Sequence, residues 1–108
     1  MNTLADSIRT YLAVSGGADD AALDECFRSD AQVSDEKQVH QGMGAIRAWL
    51  RAARARYQYS VVPLRSTSHG TNVSVIARIE GNFPGSPVEL THVFVLDDDG
   101  MIAQLKIG

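Results

Sequence analysis

Apolar residues recur at the spacing of an amphipathic helix near the start of the chain. The first stripe consists of Leu4, Ile8, Tyr11 and Leu12. Thr3 and Asp6 form a predicted capping box ahead of this stripe, and Gly16 and Gly17 end the helix. Tyr11 is therefore expected to point toward the core.

Two further helical stripes follow. A short helix is predicted to begin near Asp19 and Asp20, and its apolar side carries Ala22, Leu23, Cys26 and Phe27. A third predicted helix covers residues 42–56, and its inward side consists of Ile46, Trp49, Leu50 and Ala53. The opposite side of this helix carries Arg47, Arg51, Arg54 and Arg56, which we interpret as a solvated face.

From Tyr57 onward the apolar pattern changes to a period of two, which is typical of strands. Residues 57–66, 72–82, 87–96 and 101–107 are predicted to form four antiparallel strands separated by short turns. Helices followed by a meander indicate an α+β fold, and the absence of repeats or linkers predicts one domain over residues 1–108. Val75 and Ile76 show that both strand faces are apolar, so we expect a homodimer through the outer face.

The composition narrows the classes of partner and site. The chain has 108 residues and a net charge of −3, which disfavours nucleic acid and anionic membranes as partners. The single cysteine, Cys26, excludes an intrachain disulfide, and no apolar run approaches the ~20 residues that cross a bilayer. We therefore expect a cytoplasmic protein. The sequence has no glycine-rich phosphate loop and no paired Cys or His spacing, so no cofactor and no metal are expected.

Two motifs resemble one known branch of proteins. Residues 30–35 read Asp-Ala-Gln-Val-Ser-Asp, and residues 40–49 read His-Gln-Gly-Met-Gly-Ala-Ile-Arg-Ala-Trp. Both are similar to motifs of the ketosteroid isomerase and SnoaL-like branch of the NTF2-like superfamily. The resemblance implies an NTF2-like (cystatin-like) cone, in which three N-terminal helices pack on a strongly bent antiparallel sheet around a small-molecule pocket.

The resemblance also implies roles for individual residues. In the isomerases the last aspartate of the first motif is the proton-shuttling base, which falls on Asp35, and a tyrosine of the first helix is the main oxyanion donor, which falls on Tyr11. Where the isomerases have a protonated aspartate as second donor, this chain has His92. Strand parity places His92 on the same face as Leu90 and Phe94. Residues expected to line the pocket are Trp49, Phe27, Leu90 and Phe94.

Two functions remain open at this point. In the first, Asp35 deprotonates a small hydrophobic carbonyl-containing ligand, as in an isomerase or a polyketide-cyclase-like enzyme. In the second, the chain is a non-catalytic ligand-binding or dimerisation module. The second interpretation makes Asp35 a polar residue at a strand end or turn, Tyr11 a core residue with its hydroxyl at the rim, and His92 a hydrogen-bonded core histidine.

Overall fold

This computed structural model describes residues 4–108, which form three helices and six strands. In chain order the elements are α1 (Asp6–Ser15), a 3-10 helix (Asp20–Glu25), β1 (Phe27–Asp35), β2 (Gln38–Gln41), α2 (Met43–Arg56), β3 (Tyr59–His69), β4 (Asn72–Gly81), β5 (Val88–Leu96) and β6 (Ile102–Ile107). The predicted α+β class is confirmed.

The six strands form one sheet in the order β2-β1-β6-β5-β4-β3. Neighbouring strands run antiparallel except β1 and β6, which are parallel, with Phe27 paired to Ile102 and Val33 to Leu105. The expectation of an all-antiparallel sheet is therefore wrong for this one pair. The four strands predicted after Tyr57 are present, but β1 and β2 were missed.

The missed strands explain why the predicted order of three helices ahead of the sheet is not found. Within the described residues, α2 follows β1 and β2, and the second helix is a 3-10 helix that ends at Glu25. Phe27, which was placed on that helix, is the first residue of β1. The alternation of β1 is hidden because its first half is polar and exposed, and only Ala31 and Val33 show the buried parity.

The core lies between the inner face of the sheet and the helices. Val75 of β4 and Phe94 of β5 are fully buried on that face, as is Ile46 of α2. The ring of Tyr11 packs edge-on against Phe27 at 5.6 Å and against Phe94 at 5.8 Å between ring centroids. Edge-to-face packing of this kind adds roughly 0.5 to 1.5 kcal/mol beyond burial of the rings, so Tyr11 anchors α1 to the sheet.

The helix ends are held in different ways. Ala5 precedes the first turn of α1 without a side-chain cap, and Thr3 of the predicted capping box lies outside the described residues. Helix α2 starts after Gly42, whose φ of 86° is a conformation that glycine adopts at little cost.

Within residues 4–108, no helix combines the length and hydropathy that a membrane-spanning segment needs.

Gly81, the last residue of β4, lies very close to the start of β3. It pairs with Tyr59, and a Cβ atom at position 81 would lie 2.1 Å from the Gln58 carbonyl oxygen and 2.7 Å from the Tyr59 Cα. These neighbours are backbone atoms, which cannot swing aside as a flexible side chain could. The close approach therefore tolerates no side chain.

We expect Gly81→Ala to lower the free energy of unfolding by about 1 to 3 kcal/mol, because the strands must separate to admit the methyl group. Gly44→Ala is the matched control, since residue 44 is an exposed position of α2 with no atom within 4 Å of the added Cβ. Its effect should be neutral or stabilising by up to about 1 kcal/mol. Urea unfolding of both variants measures the difference, and equal losses would contradict the close approach.

Candidate functional site

A cavity of about 440 Å³ opens between the inner face of the sheet, α1 and α2. Every element except the 3-10 helix and β2 contributes to its wall or rim. The lining residues are Tyr11, Ser15, Asp35, Glu36, Trp49, Leu50, Ala53, Tyr57, Tyr59, Ile79, Phe83, Pro84, Val88, Leu90, His92 and Ile107.

The cavity brings together most of the residues that the sequence singled out. Asp35, Tyr11 and His92 all line it, with Trp49 and Leu90 beside them. Phe27 and Phe94, which were also expected along the wall, lie behind it instead. Both pack against the Tyr11 ring in the buried core, so they support the wall without facing the cavity.

Asp35 is the last residue of β1 and is half-buried at the cavity wall. The indole Nε1–H of Trp49 donates to its Oδ2 at 3.1 Å. This bond fixes the plane of the carboxylate, and among the described residues no protein donor is bonded to the second oxygen, Oδ1. One oxygen is thus anchored to α2 while the other is open to a ligand.

A tight turn directly follows Asp35. Asp35 pairs with Gln38, and the two residues between them, Glu36 and Lys37, have φ values of 51° and 66°. Positive φ at both central positions fits the two-residue hairpin turns whose twist matches that of the flanking strands. Neither residue is a glycine, so the turn holds some backbone strain next to the site.

One face of the Trp49 indole packs against His40 of β2. The ring of His40 stacks on it at 5.7 Å between centroids, with 30° between the ring planes. This contact was not predicted from the sequence because β2 was not predicted. A sequence signal for the hairpin does exist, because Val33 and Asp35 alternate with polar residues up to a two-residue turn. A hairpin with that turn pairs Val33 with His40, which brings His40 to the same sheet as Asp35.

Tyr11 presents its hydroxyl at the boundary between the aromatic core and the cavity. Its side chain is 1% exposed. Burial raises the pKa of the Tyr11 hydroxyl well above its usual range, while a hydrogen bond with the Ser15 side chain acts in the opposite direction and is outweighed. The hydroxyl therefore keeps its proton at neutral pH and can donate it in a hydrogen bond.

His92 faces inward, as strand parity predicted, and is 3% exposed. Its ring stacks on Phe94 at 6.2 Å, and its Nδ1 lies 3.2 Å from the backbone carbonyl oxygen of Leu90. Burial lowers the pKa of the ring from 6.5, and this outweighs the carbonyl groups of Leu90 and Val75 and the Asp35 carboxylate, which favour the charged form. The ring is therefore neutral at pH 7.

Arg54 of α2 links α1 to β3 through two residues that line the cavity, Ser15 and Tyr59. Its Nη1 donates to the carbonyl oxygens of Ser15, at 3.0 Å, and Tyr59, at 2.8 Å, and its guanidinium lies 4.5 Å from the centre of the Tyr59 ring. The predicted solvated arginine face therefore needs correction at this position. Arg47 and Arg51 also have partners, because both form ion pairs with Asp20.

The charge of the cavity wall is negative. Asp35 and Glu36 are the two carboxylates on it, and the lining residues, all within the described part of the chain, include no lysine or arginine. An anionic ligand would therefore meet repulsion, whereas a neutral ligand would not. Among residues 4–108, no three His, Cys, Asp or Glu side chains converge as a metal site requires.

Comparisons with known proteins place this architecture among solved structures. Residues 8–105 match the model of the SnoaL-like domain. A candidate polyketide cyclase from Sinorhizobium meliloti is 43% identical, with a TM-score of 0.91 over 97% of this chain and 95% of that one. No protein with a curated function matches significantly.

Two more distant structures share the fold alone. A protein with a ketosteroid isomerase-like fold from Catenulispora acidiphila, solved with trimethylamine, is 18% identical, with a TM-score of 0.85 over 98% of this chain and 86% of that one. An epoxide hydrolase/cyclase-like enzyme with a role in pyran ring formation in the polyether salinomycin is 20% identical, with a TM-score of 0.80 over 94% of this chain and 86% of that one.

The buried neutral His92 predicts a pH-dependent stability. Because the folded state lowers the pKa of this ring, the unfolded chain binds more protons below pH 6.5, and stability should fall as the pH drops through this range. Urea unfolding between pH 8 and pH 5 should show a smaller decrease for His92→Phe than for the wild type. His69→Phe, at the exposed end of β3, should keep the wild-type slope, and equal slopes for all three proteins would contradict the assignment.

Proposed function

The chain belongs to the SnoaL-like domain family of the NTF2-like superfamily, and from this premise we propose that it is an isomerase or a polyketide-cyclase-like enzyme. Its reaction begins with removal of a proton next to a carbonyl group of a small, mainly apolar ligand. The observation that carries the proposal is Asp35, whose Oδ2 is held by Trp49 while it shares one cavity with the Tyr11 hydroxyl. We take residues 1–108 as one such domain.

The first step needs a base and a donor in fixed positions. Asp35 Oδ1 accepts the proton from the carbon next to the carbonyl, and the electrons of that C–H bond form an enolate. The enolate oxygen accepts a hydrogen bond from the Tyr11 hydroxyl, which is neutral because burial raises its pKa. One fixed donor in a water-poor site contributes about 3 to 4 kcal/mol to a developing oxyanion.

The fate of the enolate separates the two reactions. In an isomerase, Asp35 returns the proton to another carbon of the same ligand. In a cyclase, the enolate carbon attacks a second carbonyl group and forms a C–C bond, the π bond of that carbonyl breaks, and its oxygen takes the proton that Asp35 holds. The 43% identical structure is described as a candidate cyclase, which favours cyclisation for this chain, and an apolar wall that includes Leu50, Ile79 and Val88 would hold a folded carbon chain.

The proposal is tested by binding of 2-naphthol, a fluorescent mimic of an enolate, to the wild type and to Asp35→Asn. We expect Asp35→Asn to bind roughly tenfold more tightly, because removal of the carboxylate charge next to the naphthol oxygen is worth ~1.4 kcal/mol. The variant Asp35→Asn, Tyr11→Phe should lose this affinity. Fluorescence titration measures all three proteins.

Asp98→Asn is the matched control, because Asp98 is an exposed aspartate in the turn between β5 and β6. It should bind 2-naphthol as the wild type does. Absence of binding by every protein would overturn the proposed site and leave the non-catalytic interpretation. Once a substrate is found, Asp35→Asn should lower kcat by at least about a hundredfold.

We further propose that two copies of the chain associate through the outer face of the sheet. Val62 of β3, Ile76 of β4 and Val93 of β5 lie on this face, opposite to the buried Val75 and Phe94, and Val62 is 50% exposed. An apolar strip across three neighbouring strands fits a self-complementary contact.

Light scattering coupled to gel filtration should therefore give twice the chain mass of 11.7 kDa for the wild type. Val93→Lys should give the monomer mass without loss of the circular dichroism of the folded protein. Ala52→Lys, on the exposed side of α2, should remain a dimer. A wild type of monomer mass would contradict this proposal without affecting the cavity.

A further inference from the structure

We propose that His92 accepts a hydrogen bond from a hydroxyl group of the ligand, so that the cavity selects carbonyl compounds that also carry a hydroxyl. This inference rests on the proposed function, because it takes the cavity as the ligand site. It concerns the side of the ligand that Tyr11 and Asp35 do not contact, and it assigns His92 a role opposite to that of the second donor of the isomerases.

The Nδ1 atom of His92 contacts the backbone of its own strand. The Leu90 backbone carbonyl oxygen, 3.2 Å away, can only accept, so Nδ1 must be the nitrogen that carries hydrogen. A neutral imidazole has a single N–H. The Val75 carbonyl also acts on the ring, but the bond between Nδ1 and Leu90 is the one that the structure places within 3.2 Å. We therefore assign the single hydrogen of the neutral ring to Nδ1, which leaves Nε2 with a lone pair and no proton.

The position of the ring then gives this lone pair a role. Nδ1 is bonded to Cγ, the ring atom nearest the backbone, and it contacts the Leu90 carbonyl oxygen of the same strand. Nε2 is the outer nitrogen of a ring that lines the cavity. It is thus the polar atom that the ring can offer to a ligand, and it can pair with a donor but not with a carbonyl or an enolate oxygen.

The other polar groups of the wall sharpen the selection. Asp35 and Glu36 are acceptors, the Trp49 indole N–H is already bonded to Asp35, and the hydroxyls of Ser15, Tyr57 and Tyr59 can donate or accept. Tyr11 is the donor that we assign to the carbonyl. A ligand that satisfies this wall therefore needs a carbonyl oxygen for Tyr11 and a hydroxyl hydrogen for His92. A ketone without a hydroxyl would leave Nε2 buried without a partner, which costs affinity.

The tautomer can be measured without any ligand. In a two-dimensional 15N–1H spectrum that correlates the ring nitrogens with the carbon-bound ring protons, the signals of His92 can be assigned by their loss in His92→Phe, since the chain has 3 histidines. We expect Nδ1 to resonate as a protonated nitrogen and Nε2 as an unprotonated one at pH 7.5. A protonated Nε2 would overturn the proposal directly.

The selection is then measured with 2-naphthol and a panel of dihydroxynaphthalenes that differ in the position of the second hydroxyl. At least one isomer should bind the wild type about three- to tenfold more tightly than 2-naphthol, the range of one net hydrogen bond. This gain should disappear in His92→Phe and persist in His69→Phe.

The two proposals fail in different ways. Binding of 2-naphthol that depends on Tyr11, with no gain for any isomer, would overturn the role of His92 and leave the proposed function intact. Absence of 2-naphthol binding would instead overturn the site as a whole. A gain that survives in His92→Phe would place the hydroxyl on another residue and also overturn the role of His92.

Discussion

The position of the Tyr11 ring between Phe27 and Phe94 is the contact on which the rest of the site depends. It joins α1, the start of β1 and the middle of β5 in one aromatic cluster, so the helix cannot shift without separating three elements. The same ring ends in a hydroxyl that cannot be left without a partner in an apolar core. The cavity borders the cluster at this point, and the polar end of Tyr11 is thereby fixed relative to Asp35 and His92.

Much of this arrangement could be predicted from local pattern. The stripes of α1 and α2 and the parity of β5 depend only on spacing within one element, and they correctly turned Tyr11, Trp49 and His92 inward. The β1–β2 hairpin could not be read in the same way, because polar residues interrupt its alternation and its tight turn contains no glycine. The parallel pairing of β1 with β6 is a contact between distant segments, which no local period encodes.

Chemical roles were harder to predict than positions. That His92 faces inward follows from counting along a strand, but whether it donates or accepts depends on the backbone carbonyls around its ring, those of Leu90 and Val75. The orientation of Asp35 likewise depends on an indole from α2, which lies far from it in the sequence. Family resemblance transfers the place of a side chain, and the neighbours of that side chain then determine its protonation and its hydrogen-bonding role.

The parallel pair β1 and β6 also has a consequence for how the protein is made. Residue 27 pairs with residue 102, so a chain leaving the ribosome has β1 and its Asp35 long before the strand that fixes them in the sheet. Until β6 is added, β1 and β5 both expose unpaired edges, and such edges promote association with other chains. The order of synthesis thus makes the assembly of the cavity a late event, and nascent or truncated chains that lack β6 are expected to need chaperones most.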